Sequence, residues 1–135
     1  MAIRRAAKAG RGTGVPARAG AADGLDPVLA VVARYFAVLA EPTRLKILHA
    51  ICEDEQSVSA IVAATGATQT NVSRHLSLMF NAGIVERRRE GQAVFYRMAD
   101  QEFVGICRRM CERIASRLDT QAPLRRDLLE FAARH

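Results

Sequence analysis

The sequence holds no apolar run near the roughly 20 residues needed to span a bilayer. Its longest candidate, Val28–Ala40, is interrupted by Arg34. No apolar stretch follows the basic N-terminus, so a signal peptide is not expected, and the reading is cytoplasmic with no membrane partner. Cysteine is scarce: Cys52, Cys107 and Cys111 are the three in 135 residues. An odd number in a reducing compartment excludes a disulfide framework. It leaves thiols that are buried, metal-binding or redox-active. Catalytic patterns are missing as well. There is no phosphate-binding Gly loop, no nucleophile with an ordered base and no paired carboxylates. No enzyme and no organic cofactor are expected.

Acids are absent from residues 1–20, which carry Arg4, Arg5, Lys8, Arg11 and Arg18. The formal net charge is +6, and this tail supplies all but one unit of it. A basic chain suggests anionic partners, but the rest of the sequence needs a local patch to support that. Residues 1–24 are too rich in Ala, Gly and Arg to bury a core and are expected to be a disordered tail. The hydrophobic content of 50% and the charged content of 25% are those of a globular chain. The length fits one folded domain, placed at residues 25–120, with a helical extension over 121–135.

Asp26-Pro27 predicts a helix start, Asp26 as cap and Pro27 in the first turn. This helix, to about Ala40, has apolar residues nearly all round and wants more than one packing partner. Glu41-Pro42 starts a second helix through about Cys52, followed by an acidic loop, Glu53-Asp54-Glu55. A third helix begins at Ser57-Val58-Ser59 and ends at Gly66. Thr68 caps a fourth, in which Val72, Leu76, Met79 and Phe80 repeat at helical spacing, with Gly83 as its left-handed stop. Two strands follow, about Ile84–Arg88 and Ala93–Met98, around the turn Arg89-Glu90-Gly91-Gln92. Asp100 then caps a long helix from about Gln101 to Leu118, and Pro123 opens a last one. The fold class is mainly α with a β-hairpin wing, a winged helix–turn–helix.

The fourth helix presents Thr68, Gln69, Thr70, Asn71, Ser73 and Arg74 near its N-terminus. Gln and Asn suit adenine, Arg suits guanine, and Ser or Thr suits phosphate. Arg87, Arg88 and Arg89 at the hairpin tip, with Arg97 on the return strand, suit phosphates or a minor groove. Taken singly, each is better explained by a solvated face or an exposed charged turn; together they favour double-stranded DNA. His75 is carried with them as a base or phosphate contact, with packing or hydrogen bonding beside the reading helix as its alternative.

Three segments in this order resemble the ArsR/SmtB family of winged-helix repressors. They are Leu39-Ala40-Glu41-Pro42-Thr43-Arg44-Leu45-Lys46-Ile47-Leu48, Gln69-Thr70-Asn71-Val72-Ser73-Arg74-His75-Leu76, and the wing from Ala82 through Arg97. The resemblance covers roughly residues 26–120. It implies a homodimer, built through the first and the long C-terminal helices, that releases an inverted-repeat operator when an inducer binds.

The family's sensing sites are met only in part. Where its arsenite site has Cys-Val-Cys on the third helix, this chain has Ser57-Val58-Ser59. The fifth-helix zinc site needs histidines, and here Asp100 and Glu102 are followed by Arg113 with no histidine between. What remains is Cys107-x-x-x-Cys111, whose i, i+4 spacing puts two Cβ atoms about 5–6 Å apart on one helix face. Thiolates favour soft ions, and Arg108, Arg109 and Arg113 are expected to lower the thiol pKa values. The pair resembles family members that respond to trivalent antimony or arsenic, with antimonite slightly ahead as inducer. Cys52 is either a packed core thiol or a third metal ligand. Two alternatives stay open: a thiol redox or reactive-sulfur switch on the same fold, and a winged-helix interaction module that reads no DNA.

Overall fold

The computed structural model describes residues 19–134, and the expectation of disorder over residues 1–18 lies outside them. The chain divides into two compact units between Ala33 and Arg34. Helix α1, Ala19–Leu39, runs through that boundary. It starts earlier than Asp26, with Pro27 inside it, so residues 19–24 are helical rather than tail. Alanine, the strongest helix former, opens this segment, and the missing Pro27 amide removes only one hydrogen bond. In its first part Leu25, Val28, Leu29, Val31 and Val32 are exposed.

In the second unit α2 (Pro42–Ile51) is capped by Glu41, whose carboxylate accepts from the Arg44 amide at 2.9 Å. Helix α3 (Val58–Thr65) is capped by the Ser57 hydroxyl and ends at Gly66, at φ 70°. That left-handed value is reached without strain by glycine alone among common residues. Three residues later α4 (Gln69–Asn81) begins behind the Thr68 cap. The helix–turn–helix is thus set by two side-chain caps and one glycine.

Strand β2 (Val85–Glu90) pairs antiparallel with β3 (Ala93–Met98). It runs two residues further than the sequence suggested, so the turn is only Gly91-Gln92. A short strand β1 (Gln56–Ser57), unforeseen in the sequence, adds to the other side of β3 and gives the order β1-β3-β2. Helix α5 (Glu102–Ala115) is shorter than expected, and α6 (Pro123–Ala133) packs back along it. Asp100 does serve the start of α5, accepting from the Glu102 amide at 2.9 Å. The core is formed by Ile47, Ile51, Ile61, Val72, Leu76, Met79, Ile84 and Val85, with Val38, Leu48, Tyr96 and Met98 around them. It lies beneath α4 and the wing and fixes both. Among the described residues no helix is long and apolar enough to cross a membrane.

Candidate DNA interface and sensing site

Burial of Val72, Leu76 and Met79 turns the opposite face of α4 outward. Thr68, Gln69, Thr70, Ser73 and Arg74 are exposed there, and Asn71 is half-buried. The Thr68 hydroxyl accepts from the Asn71 amide at 3.2 Å, and the Arg74 guanidinium donates to Asn71 Oδ1 at 2.7 Å. The predicted reading residues therefore share the exposed side of α4, with Arg74 and Asn71 hydrogen-bonded to each other. His75 is not part of it. Its side chain is buried, 8% exposed, with Nδ1 3.3 Å from Arg44 Nη1 and Nε2 3.7 Å from Glu41 Oε2. The signal was in the sequence: Val72, His75, Leu76 and Met79 follow the i, i+3, i+4, i+7 stripe of a buried face.

The wing arginines lie along β2, not at its tip. Alternation sends Arg87 and Arg89 to one face and Arg88 to the other. Arg87 sits 4.0 Å over the Phe80 ring, tying the wing to α4. Arg88 forms ion pairs with Glu55 and Glu90, and Arg97 with its cross-strand neighbour Glu86. The Arg88 guanidinium holds the Glu55 carboxyl below the usual carboxylate range. Arg89 is exposed and enters no ion pair among the described residues. The four positive charges read as a basic wing are thus half compensated, by Glu90 two residues along the strand, by Glu55 far off in sequence and by Glu86 on the paired strand.

Cys107 and Cys111 lie one turn apart on α5, both half-buried and reduced. Burial pushes the Cys107 thiol up, and the neighbouring Cys111 adds to the shift. Cys111 is raised too, first by burial. This overturns the expectation that flanking arginines lower the thiol pKa values. The Arg109 guanidinium folds back over Gly105, 3.7 Å from where a Cβ there would stand. Cys52 is buried at the end of α2, and its thiol donates to the His49 carbonyl at 2.9 Å. Burial raises it as well. Gln101 donates to the Cys52 carbonyl at 3.1 Å, tying α2 to the start of α5. Among the described residues, no three His, Cys, Asp or Glu side chains converge as a metal site. Within one chain Cys52 does not join Cys107 and Cys111 in such a group.

A capped helix–turn–helix, an outward polar face on its second helix and a flanking hairpin define a winged-helix protein of the DNA-reading type. The sequence model described as "Bacterial regulatory protein, arsR family" matches residues 41–87. The chain belongs to this arsR family of regulators. It is 39% identical over 84 residues to the HTH-type transcriptional regulator Rv0324 of Mycobacterium tuberculosis, covering 62% of this chain and 37% of that protein. It is 41% identical over 68 residues to the probable mercury resistance operon repressor of Streptomyces lividans, covering 50% of this chain and 54% of that one. The chain thus spans between about a third and a half of the length of these two relatives. A homodimeric winged helix–turn–helix DNA-binding domain from Mycobacterium bovis superposes with TM-score 0.63 at 33% identity, over 76% of this chain and 99% of that fragment.

Proposed function

We propose that the protein is a homodimeric, cytoplasmic repressor that leaves its operator when a trivalent metalloid, antimonite or arsenite, joins Cys107 to Cys111. The α4 surface Thr68–Arg74 reads the major groove of an inverted repeat, and Arg87 and Arg89 lie against phosphate. Homodimer formation is supported by two apolar surfaces left in water. One is on the first part of α1, and the other is the α5 stripe of Ile106, Met110 and Ile114. Contiguous apolar patches of this kind mark interaction surfaces, and the Mycobacterium bovis domain is a homodimer.

The observation that carries the inducer class is the pair of neighbouring thiols raised by burial. At neutral pH both stay protonated, which disfavours a cation that must displace two protons. A neutral metalloid trihydroxide has no such penalty. Two thiols condense with it, forming two metalloid–sulfur bonds and releasing two waters, and the third hydroxide stays or exchanges with an external thiol. The cysteine pair lies on the helix that also carries the outward apolar stripe, so ligation there acts on the dimer. A second reading has its own support: two thiols alone satisfy a two-coordinate soft ion, and one relative is described as a mercury resistance repressor.

The test is fluorescence anisotropy of the reduced protein on DNA from its own promoter, titrated with antimonite, arsenite and mercuric ion. Release at near-stoichiometric metalloid, lost in Cys107→Ser/Cys111→Ser, is the expected result. Tight DNA binding indifferent to all three sinks the inducer and leaves thiol oxidation or reactive sulfur as the signal.

A further inference from the structure

Glu41 and Arg44 from the first family segment and His75 from the second have no part in either surface above, yet they meet. We propose that Arg44, acting with Glu41 and His75, is a positioning residue that sets the reading helix α4 against the C-terminal end of α1. The inference rests on the DNA-reading dimer just described.

One guanidinium joins three elements. Arg44 Nε donates to the Val38 carbonyl at 2.5 Å and Nη2 to the Ala37 carbonyl at 3.1 Å. Both carbonyls belong to the last turn of α1, where carbonyls run short of intrahelical donors; the Ala37 carbonyl also accepts from the Ala40 amide at 3.3 Å. The third nitrogen, Nη1, lies 3.3 Å from His75 Nδ1 on α4. With Nδ1 accepting, the ring proton sits on Nε2, which faces Glu41 Oε2 at 3.7 Å. The same Glu41 oxygen accepts from the Arg44 amide at 2.9 Å and caps α2. That amide holds the Glu41 carboxyl below its ordinary range, so it remains an anion between Arg44 and His75.

Only arginine fits this place. Its donors diverge in a fixed plane toward three acceptors, whereas a lysine offers one nitrogen on a flexible stem. The geometry also explains a buried histidine on a helix whose other inward residues are aliphatic. In a dimer built through α1, a firm joint between α1 and α4 fixes the separation of the two reading helices. That separation must match the spacing of the half-sites.

The test uses the full-length protein and three variants: Arg44→Lys, His75→Leu and His75→Asn. The probes are the footprinted operator, a duplex with one half-site, and an operator whose half-sites are moved one base pair apart. Arg44→Lys and His75→Leu are expected to bind the single half-site within about twofold of wild type. They should lose about tenfold or more on the intact operator, because simultaneous engagement fails when the heads no longer match the spacing. They should also discriminate less against the altered spacing. His75→Asn, whose Oδ1 stands near the Nδ1 position, should recover both. Wild-type affinity and spacing preference in Arg44→Lys and His75→Leu overturn the proposal. So does an equal loss on half-site and operator, which makes the cluster a stability element of the head. If Arg44→Lys fails to fold, the His75→Leu and His75→Asn comparison decides alone. Failure of the wild type to protect any promoter DNA is seen before the variants are made and removes the DNA reading itself.

Discussion

Helices α4 and α5 carry similar apolar stripes and use them differently. In α4, Val72, Leu76 and Met79 are all 0% exposed, covered by α2, α3 and β2 of the same chain. In α5, Ile106, Met110 and Ile114 are 37, 55 and 42% exposed, and Ala115 is the buried residue. Periodicity predicts that a stripe is covered, not by which molecule. Helix α4 is finished within one chain and can present a stiff polar face. Helix α5 leaves its stripe exposed, and the half-buried Cys107 and Cys111 lie on the same helix.

Truncating the finished stripe should cost most. Leu76→Ala is expected to lower unfolding free energy by about 2–5 kcal/mol, a lost side chain plus the cavity it leaves. Urea melts of wild type and variant check it, and a loss under 1 kcal/mol would mean that α4 is not locked by its core. The unfinished stripe should respond in another quantity. Met110→Glu is expected to leave the secondary structure intact and to turn dimer into monomer in sedimentation. Operator affinity should then fall about 100-fold through lost bivalency. A Met110→Glu protein that stays dimeric would place the interface elsewhere and erase the contrast between the two helices.

The same contrast marks what the sequence discloses. Thr68, Gly66 and Gly83 announce the helix–turn–helix because caps and left-handed glycines act locally. The hairpin is equally local, and both its strands were found. Strand β1 was not, since two residues carry no period and their pairing with Tyr96 and Phe95 is long-range. The reading face on α4 was legible except for His75, whose polar character outweighed its place in the buried stripe. The charge of the wing was misread because Glu55 lies 33 residues from Arg88 in sequence. The chemistry of Cys107 and Cys111 was misread in sign. Sequence proximity of Arg109 says nothing of the direction in which its side chain folds.

The cysteines sharpen the comparison at smaller energy. Cys107→Ser/Cys111→Ser should bind operator as wild type does and stay within about 0.5 kcal/mol in stability, the usual range outside a packed core. Its release by antimonite should vanish. The protons should then separate the two inducer readings. Both thiols are raised, so each holds its proton until the pH climbs through that raised value. Condensation with a neutral trihydroxide turns those protons into water, and affinity should be flat across the neutral range. Mercuric ion must expel them, so its affinity should rise with pH, by up to two protons per ion. Calorimetry of each ligand in buffers of different ionisation enthalpy counts those protons. Net proton uptake with antimonite would mean that the thiols are already thiolates, against the burial seen here.

The smallest expected effect tests the wing. Arg88 is paired with Glu55 and Glu90 and Arg97 with Glu86, and such exposed pairs contribute only about 0–1 kcal/mol to folding. Glu55→Gln/Glu86→Gln should therefore melt near the wild-type temperature. On DNA it should act differently, because each arginine freed toward phosphate releases a further counterion. Operator affinity is expected to rise several-fold, and the salt dependence to steepen by about 0.9 in log–log slope for each added phosphate contact. Affinity measured over a range of salt concentrations separates two descriptions of the wing. A steeper slope means that the carboxylates restrain the arginines and keep non-specific binding low. An unchanged slope means that Arg88 and Arg97 already exchange glutamate for phosphate in the complex. Their ion pairs would then be a resting state of the wing, and α4 would have no stiffer a polar face than its neighbour.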